Sequence, residues 1–188
     1  MRFLAAFLVI VSLAITASAQ LPPTPDDDPE NTLLLQLKDG TVVIAMRPDL
    51  APNHVRRIKE LVRKGFYDGV PFHRVIPGSI AQTGDPTGTG AGGSGQMLKA
   101  EFSNEHHLRG TVSMARADDP DSADSQFFIV MKASPDFDRR YTIWGRVIRG
   151  MEFVNHIESG DPDTGRVIRP DRIVSMKVEA DLLKAGGR

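Results

Sequence analysis

Apolar residues follow two different rhythms along this chain. In "NTLLLQLKDGTVVIAMRPD", residues 31–49, two short apolar runs flank Asp39-Gly40. An Asp-Gly pair between β-like runs is a strong hairpin signal, because it supports the tight turn that matches strand twist. Two antiparallel strands are predicted there. From Pro52 the spacing changes: Val55, Ile58, Leu61 and Val62 recur at helical intervals and share one apolar stripe. Pro52 suits a first turn, where a missing N–H costs nothing, and Gly65 supplies the stop. Short β-like runs follow at 72–76, 80–82, 97–102, 111–115, 126–131 and 141–147. A second short helix fits 151–158, with Gly160 after it, and a last strand fits 172–178. Many short strands around one core with two helices predict a mainly β fold. A closed antiparallel barrel suits this pattern better than alternating α/β layers.

The ends of the chain read differently. Arg2 precedes an apolar run at 3–13, and small residues lead to Ala17-Ser18-Ala19. A charged start, a short apolar stretch and an A-x-A site make residues 1–19 a secretory signal peptide. A membrane anchor would need about 20 apolar residues. The mature chain is expected to begin at Gln20 and to sit in a periplasm or be secreted, without membrane contact after cleavage. Residues 20–30 are rich in Pro and Asp and read as a disordered tether. Residues 31–180 are expected to form one domain, and 181–188 a tail. The 188 residues carry 23 basic and 24 acidic side chains, with no basic block, so nothing resembles a nucleic-acid footprint. There is no cysteine, which excludes disulfides, thiolate metal sites and thiol catalysis.

Candidate chemistry narrows quickly. "GTGAGGSG", residues 88–95, contains G-x-G-x-x-G at Gly88, Gly90 and Gly93. A dinucleotide site needs a strand running in and a helix running out, whereas Asp85-Pro86 precedes the loop and "QMLKAEF" alternates after it. A nucleophile elbow fails at Gln96, which stands where the last glycine belongs. His54, His106, His107 and His156 lack metal-ligand spacing, and most of them read as exposed. His73 reads as a structural histidine bracing its surroundings through a backbone hydrogen bond. Ser79, Ser94, Ser113 and Ser125 belong to no elbow, and no Ser-His-Asp set assembles. What remains is "PFHRVIPGSIAQTGD", residues 71–85, where Arg74 and Gln82 interrupt apolar positions. Its bland explanation is a strand-end arginine paired with Asp85 or Glu101.

"FHRVIPGSIAQTGD", "GTVSMARA", "SQFFIVM" and "YTIWGRVIRGME" occur in that order. Together they resemble the cyclophilin family of peptidyl-prolyl cis-trans isomerases over residues 32–178. The glycine loop and Tyr141 look most like bacterial members. The resemblance implies an eight-stranded antiparallel barrel capped by two α-helices, no cofactor and no metal. It also implies proline-containing polypeptides as substrates, here incompletely folded export chains, and the protein is expected to be a monomer. Arg74 matches the family's catalytic arginine, and Gln82 the glutamine that holds it and binds the substrate backbone. Ile80, Phe128 and Phe137 match the proline pocket. Phe72, His73 and Tyr141 fall in the substrate-binding set, and Ala115 and Arg116 match positions that bind peptide through backbone groups. Phe127 alternates into the core.

Four positions depart from the family, one of them Arg116, which replaces an asparagine and should be tolerated because contacts there are made through the backbone. Ser79 replaces a phenylalanine of the pocket, which should weaken proline binding by ~1–3 kcal/mol if nothing refills the space. Asp136 replaces a tryptophan that favours cyclosporin binding, and Tyr141 replaces a histidine. Ser79 keeps open a rival reading, a proline-peptide-binding chaperone module with weak or no isomerase activity. A barrel carrying a small apolar ligand is the other rival, and it leaves Arg74 and Gln82 without a purpose.

Overall fold

The computed structural model describes residues 28–186. The signal peptide and most of the tether lie outside the described residues. The tether's last residues are ordered. Asp28 caps a 3-10 turn at Pro29–Asn31, and Glu30 pairs with Lys59 and Arg63.

Eight strands form one antiparallel sheet: β1 (Thr32–Gln36), β2 (Thr41–Met46), β3 (Arg74–Ile76), β4 (Ile80–Thr83), β5 (Thr111–Met114), β6 (Phe127–Val130), β7 (Ile143–Arg149) and β8 (Ser175–Val178). Their order across the sheet is β3-β4-β6-β5-β7-β2-β1-β8. The β1–β2 hairpin closes around Asp39-Gly40 with Gln36 opposite Thr41. Gly40 is needed there for space, since a Cβ would run into the Phe153 ring.

The expected closed barrel is not what forms. The sheet is a curled half-barrel whose edge strands, β3 and β8, share no ladder. The chain before each carries the seam instead. It consists of one isolated bridge, Pro71 to Arg172, and a few backbone bonds such as Phe72 N to Asp171 O at 2.9 Å. Diverting Phe72 to that seam also shortens the predicted 72–76 run to β3.

The run at 97–102 is not a strand. Its backbone bonds go to side chains and to one bridge: Leu98 N to Ala123 O, Ala100 N to Asp121, and Glu101 N to Thr142. Glu101 has another task. Helix α1 (Pro52–Arg63) starts at Ala51, which has no capping side chain. The Glu101 carboxylate accepts from Asn53 N and His54 N instead, each at 3.1 Å, so a distant acid satisfies donors that a local cap usually meets. Its apolar stripe, Val55, Ile58, Leu61 and Val62, is buried in the main core.

Helix α2 (Met151–Asn155) is shorter than predicted, and a third helix, α3 (Glu179–Gly186), follows β8 where a tail was expected. Arg63 on α1 binds Asp181 on α3 at 2.9 Å, a contact invisible to local periodicity. The main core fills the concave side with Leu33, Ile44, Tyr67, Phe127, Trp144 and Met176, all 1 % exposed or less. Phe127 points there, as alternation predicts.

Candidate active site

A second apolar cluster lies on the opposite face of the sheet. Ile80, Phe128 and Val130 are its buried centre, with Ile76, Ala115, Phe137 and Tyr141 packed around them. The register explains the placement. Arg74 pairs with Gln82, Gln82 with Phe128, and Phe128 with Ser113, so one row of the pleat carries four polar or aromatic side chains across four strands. A cleft of about 780 Å³ opens over this row.

On its polar side, Arg74 is held from two directions. Its Nη1 donates to Gln82 Oε1 and its Nε donates to the Thr164 carbonyl, both at 3.2 Å. Neither Asp85 nor Glu101 pairs with it, so the bland explanation for this arginine fails. Gln82 Nε2 donates to Gln126 Oε1 at 2.9 Å, and Gln126 Nε2 donates to the carbonyls of Gly90 and Gly92. The glycine loop is pegged in turn by Asp85. This buried carboxylate accepts from Thr87 N, Thr87 Oγ1, Gly90 N and Gly92 N. Burial alone would raise its pKa, but these donors outweigh burial and hold it at about 2.

On the apolar side, Phe128, Phe137 and Tyr141 meet edge to face with centroids 5.3–5.4 Å apart. Phe137 comes from a 3-10 turn at Pro135–Phe137. Arg116 lies over the Tyr141 ring, 5.1 Å from its centroid, and donates to the carbonyl of Arg140.

Several expectations need correcting. Phe72 is fully buried in the main core and does not border the cleft. Ser79 sits in the β3–β4 turn, where its N–H binds Ile76 O, and it too lies off the lining. Ile76 borders the cleft close by. His73 lines the cleft, and its ring nitrogens make no full hydrogen bond; of the expected backbone brace only a weak interaction with Pro71 remains, with another to Gln126. Burial lowers its pKa. His54 and His107 are buried rather than exposed. His107 links Ser113 Oγ, at 2.8 Å from Nε2, to Asp138 Oδ1, at 3.0 Å from Nδ1. This Ser-His-Asp order escaped sequence reading because it joins a strand, a loop and a turn. Ser113 is fully buried and the His107 ring stacks on Phe128, so the set braces the cup and offers no accessible nucleophile. Gln126 was also missed, and its adjacency to "FFIV" was the only local signal. Among the described residues, no three His, Cys, Asp or Glu side chains gather as a metal would require.

Comparison with known proteins adds the family. Residues 32–178 match the family described as cyclophilin type peptidyl-prolyl cis-trans isomerase/CLD. A Brucella suis protein named "Probable peptidyl-prolyl cis-trans isomerase" is 44% identical over 194 residues, covering 96% of this chain and 99% of the relative. Among solved structures, a cyclophilin from Hirschia baltica superposes with a TM-score of 0.74 at 29% identity, covering 82% of this chain and 76% of that one. A Cryptosporidium parvum cyclophilin type isomerase, crystallised in the presence of the dipeptide Ala-Pro, gives 0.72 at 28% identity, covering 78% and 98%. With the matched segments spanning the whole sheet and both sides of the cleft, the chain belongs to the cyclophilin-type peptidyl-prolyl cis-trans isomerases.

Proposed function

We propose that this isomerase turns X-Pro bonds by aiming Arg74 at the prolyl nitrogen while the proline ring rests in the cup of Ile80, Phe128 and Phe137. The peptide bond resists rotation because the amide is conjugated, with a barrier of ~18–20 kcal/mol. In the twisted state the nitrogen becomes pyramidal and regains a lone pair. A fixed cationic donor binds that state better than either planar one, which is what catalysis requires. The guanidinium stays charged and presents a rigid fork. The observation that carries the reading is the anchoring of Arg74 from two directions beside an apolar cup. Gln82 steadies it, and the second hydrogen on Gln82 Nε2 is left for a substrate carbonyl. Ala115 N–H is already used by Gln126 O at 2.9 Å, so an extended peptide would meet the Ala115 carbonyl and the Arg116 N–H.

Ser79 does not itself line the cleft, but Ile76 and Ile80 on either side of it do, and they supply apolar surface beside the position of the missing phenylalanine. Arg74→Ala is expected to lower turnover of a proline tetrapeptide by about a hundredfold or more while the circular dichroism spectrum stays unchanged. Arg74→Lys should also be poor, for want of the fork. A near-wild-type rate for Arg74→Ala would remove the mechanism.

Export completes the proposal. The Ala17-Ser18-Ala19 site supports cleavage before Gln20 and export to a periplasm or out of the cell, where the substrates would be extended, incompletely folded chains. Mass spectrometry of the exported protein should find Gln20 at the N-terminus. Intact Met1 in the membrane fraction would overturn it.

A further inference from the structure

β3 is three residues long and lies at the edge of the sheet, yet it carries Arg74. Its inner side pairs with β4. Its outer side has no strand and is covered by the loop after α2. Val75 N donates to Gly165 O at 2.7 Å, Gly160 N donates to Val75 O at 3.0 Å, and Val167 N donates to His73 O at 3.1 Å. This loop also supplies the carbonyl that receives Arg74 Nε.

The turn bearing that carbonyl is closed by two backbone bonds, Gly165 N to Asp161 O at 2.7 Å and Asp161 N to Arg166 O at 3.0 Å, and is braced inside by one side chain. Asp161 Oδ1 accepts from Asp163 N at 3.2 Å, and from Thr164 N and Thr164 Oγ1 at 2.9 Å each, the pattern by which aspartate imposes a local turn. Gly165 follows with φ +75°, and a Cβ there would stand 3.0 Å from Arg74 Cγ and 2.8 Å from Ile76 Cγ1. The turn therefore sits directly against the stem of the arginine.

We propose that Asp161 is a positioning residue for the isomerase reaction: it holds the 161–165 turn so that the Thr164 carbonyl fixes the rotation of the Arg74 guanidinium. This rests on the reading of Arg74 as the catalytic cation. A guanidinium held only at Nη1 can pivot about that contact. A second bond at Nε, coming from the other side of β3, removes the pivot and fixes the plane of the fork. Nη2 then has no partner among the described residues and is left for substrate. Misplacement of a catalytic group by about 1 Å can cost up to a hundredfold in rate. The three strand-like bonds that hold the loop to β3 and the two that close the turn use backbone groups alone, so the loop stays docked when the Asp161 carboxylate is removed, and what is lost is the side-chain hold on residues 163 and 164.

The test compares Asp161→Ala, Asp161→Asn and Arg74→Ala on the full mature chain. It reads kcat and KM on one proline tetrapeptide, the NMR signal of Arg74 Nε–H, and the thermal midpoint. Asp161→Ala should lower kcat about tenfold with KM within about twofold, broaden or shift the Arg74 Nε–H signal, and leave the midpoint unchanged. Asp161→Asn keeps an acceptor oxygen and should restore most of the rate and the signal. An Asp161→Ala protein with wild-type kcat and an unmoved Nε–H signal overturns the proposal. A kcat loss matched by a fallen midpoint, with no rescue by Asn, also overturns it. If Arg74→Ala remains active, the mechanism fails on its own, while the Nε–H signal still reports whether Asp161 positions the arginine.

Discussion

Along the polar wall of the cleft, each side chain is oriented by a directed hydrogen bond that it donates to the next, whereas the apolar wall is three rings oriented by packing. Arginine can only donate. Gln82 must therefore turn Oε1 toward Arg74, its Nε2 must face Gln126 Oε1, and Gln126 Nε2 must face the Gly90 and Gly92 carbonyls. The polarity of the whole chain follows from one charge, and a defect at its far end reaches the arginine. Phe128, Phe137 and Tyr141 meet edge to face, and such contacts have no donor or acceptor sense to reverse. Hydrophobic swaps that conserve volume usually cost less than about 1.5 kcal/mol. The wall made of polar links is the less forgiving one.

The sharpest way to break this comparison is a matched pair of substitutions. Gln126→Glu is nearly isosteric, but a carboxylate cannot donate and would face two carbonyls. It should lower kcat/KM about tenfold or more, the scale of an unsatisfied polar group, even though Gln126 need not touch the reacting amide. Phe137→Leu should raise KM only a few-fold, on the order of 1 kcal/mol of lost ring contact, with kcat nearly intact. Both are read in one isomerisation assay. Equal losses, or a larger loss for Phe137→Leu, would mean that the walls do not differ in this way.

Acid should produce a smaller effect that separates the walls again. Asp85 pegs the loop at the end of the polar chain, and its folded pKa of about 2 lies below the ordinary carboxylate value. Its contribution to stability is thus fully present above about pH 4 and is lost as pH falls toward 2. Unfolding by denaturant at stepped pH should show stability falling through that window. Asp85→Asn should be less stable at neutral pH and flatter between pH 4 and 2. An unchanged acid slope in the variant would remove Asp85 as the peg.

Much of the site could be read from the chain because strands translate sequence into position simply. Alternation put Phe127 in the core and Phe128 outside it, and the short run carrying Arg74 lies eight residues before Gln82, across one tight turn. Sequence reading failed where a backbone group found its partner far along the chain. The run at 97–102 alternates like a strand, yet its Glu101 serves the N-terminus of α1. His107 looked like a surface residue in a polar turn, yet it is buried between Ser113 and Asp138.

By itself the sequence determined the elements with strong local codes: the Asp-Gly hairpin, the stripe and punctuation of α1, the alternation of β6, and the ordered segments that carry the family. Each depends on interactions within a few residues, so a short window contains the cause. Tertiary structure alone decided that the sheet stops at a half-barrel. It brought α3 back to Arg63, drew Gln126 into the arginine's network and set the 161–165 turn against Arg74. Those outcomes depend on which unpaired donors and acceptors meet after the sheet has curled. Partners roughly 45 to 120 residues apart are chosen by that geometry, and no local pattern encodes it.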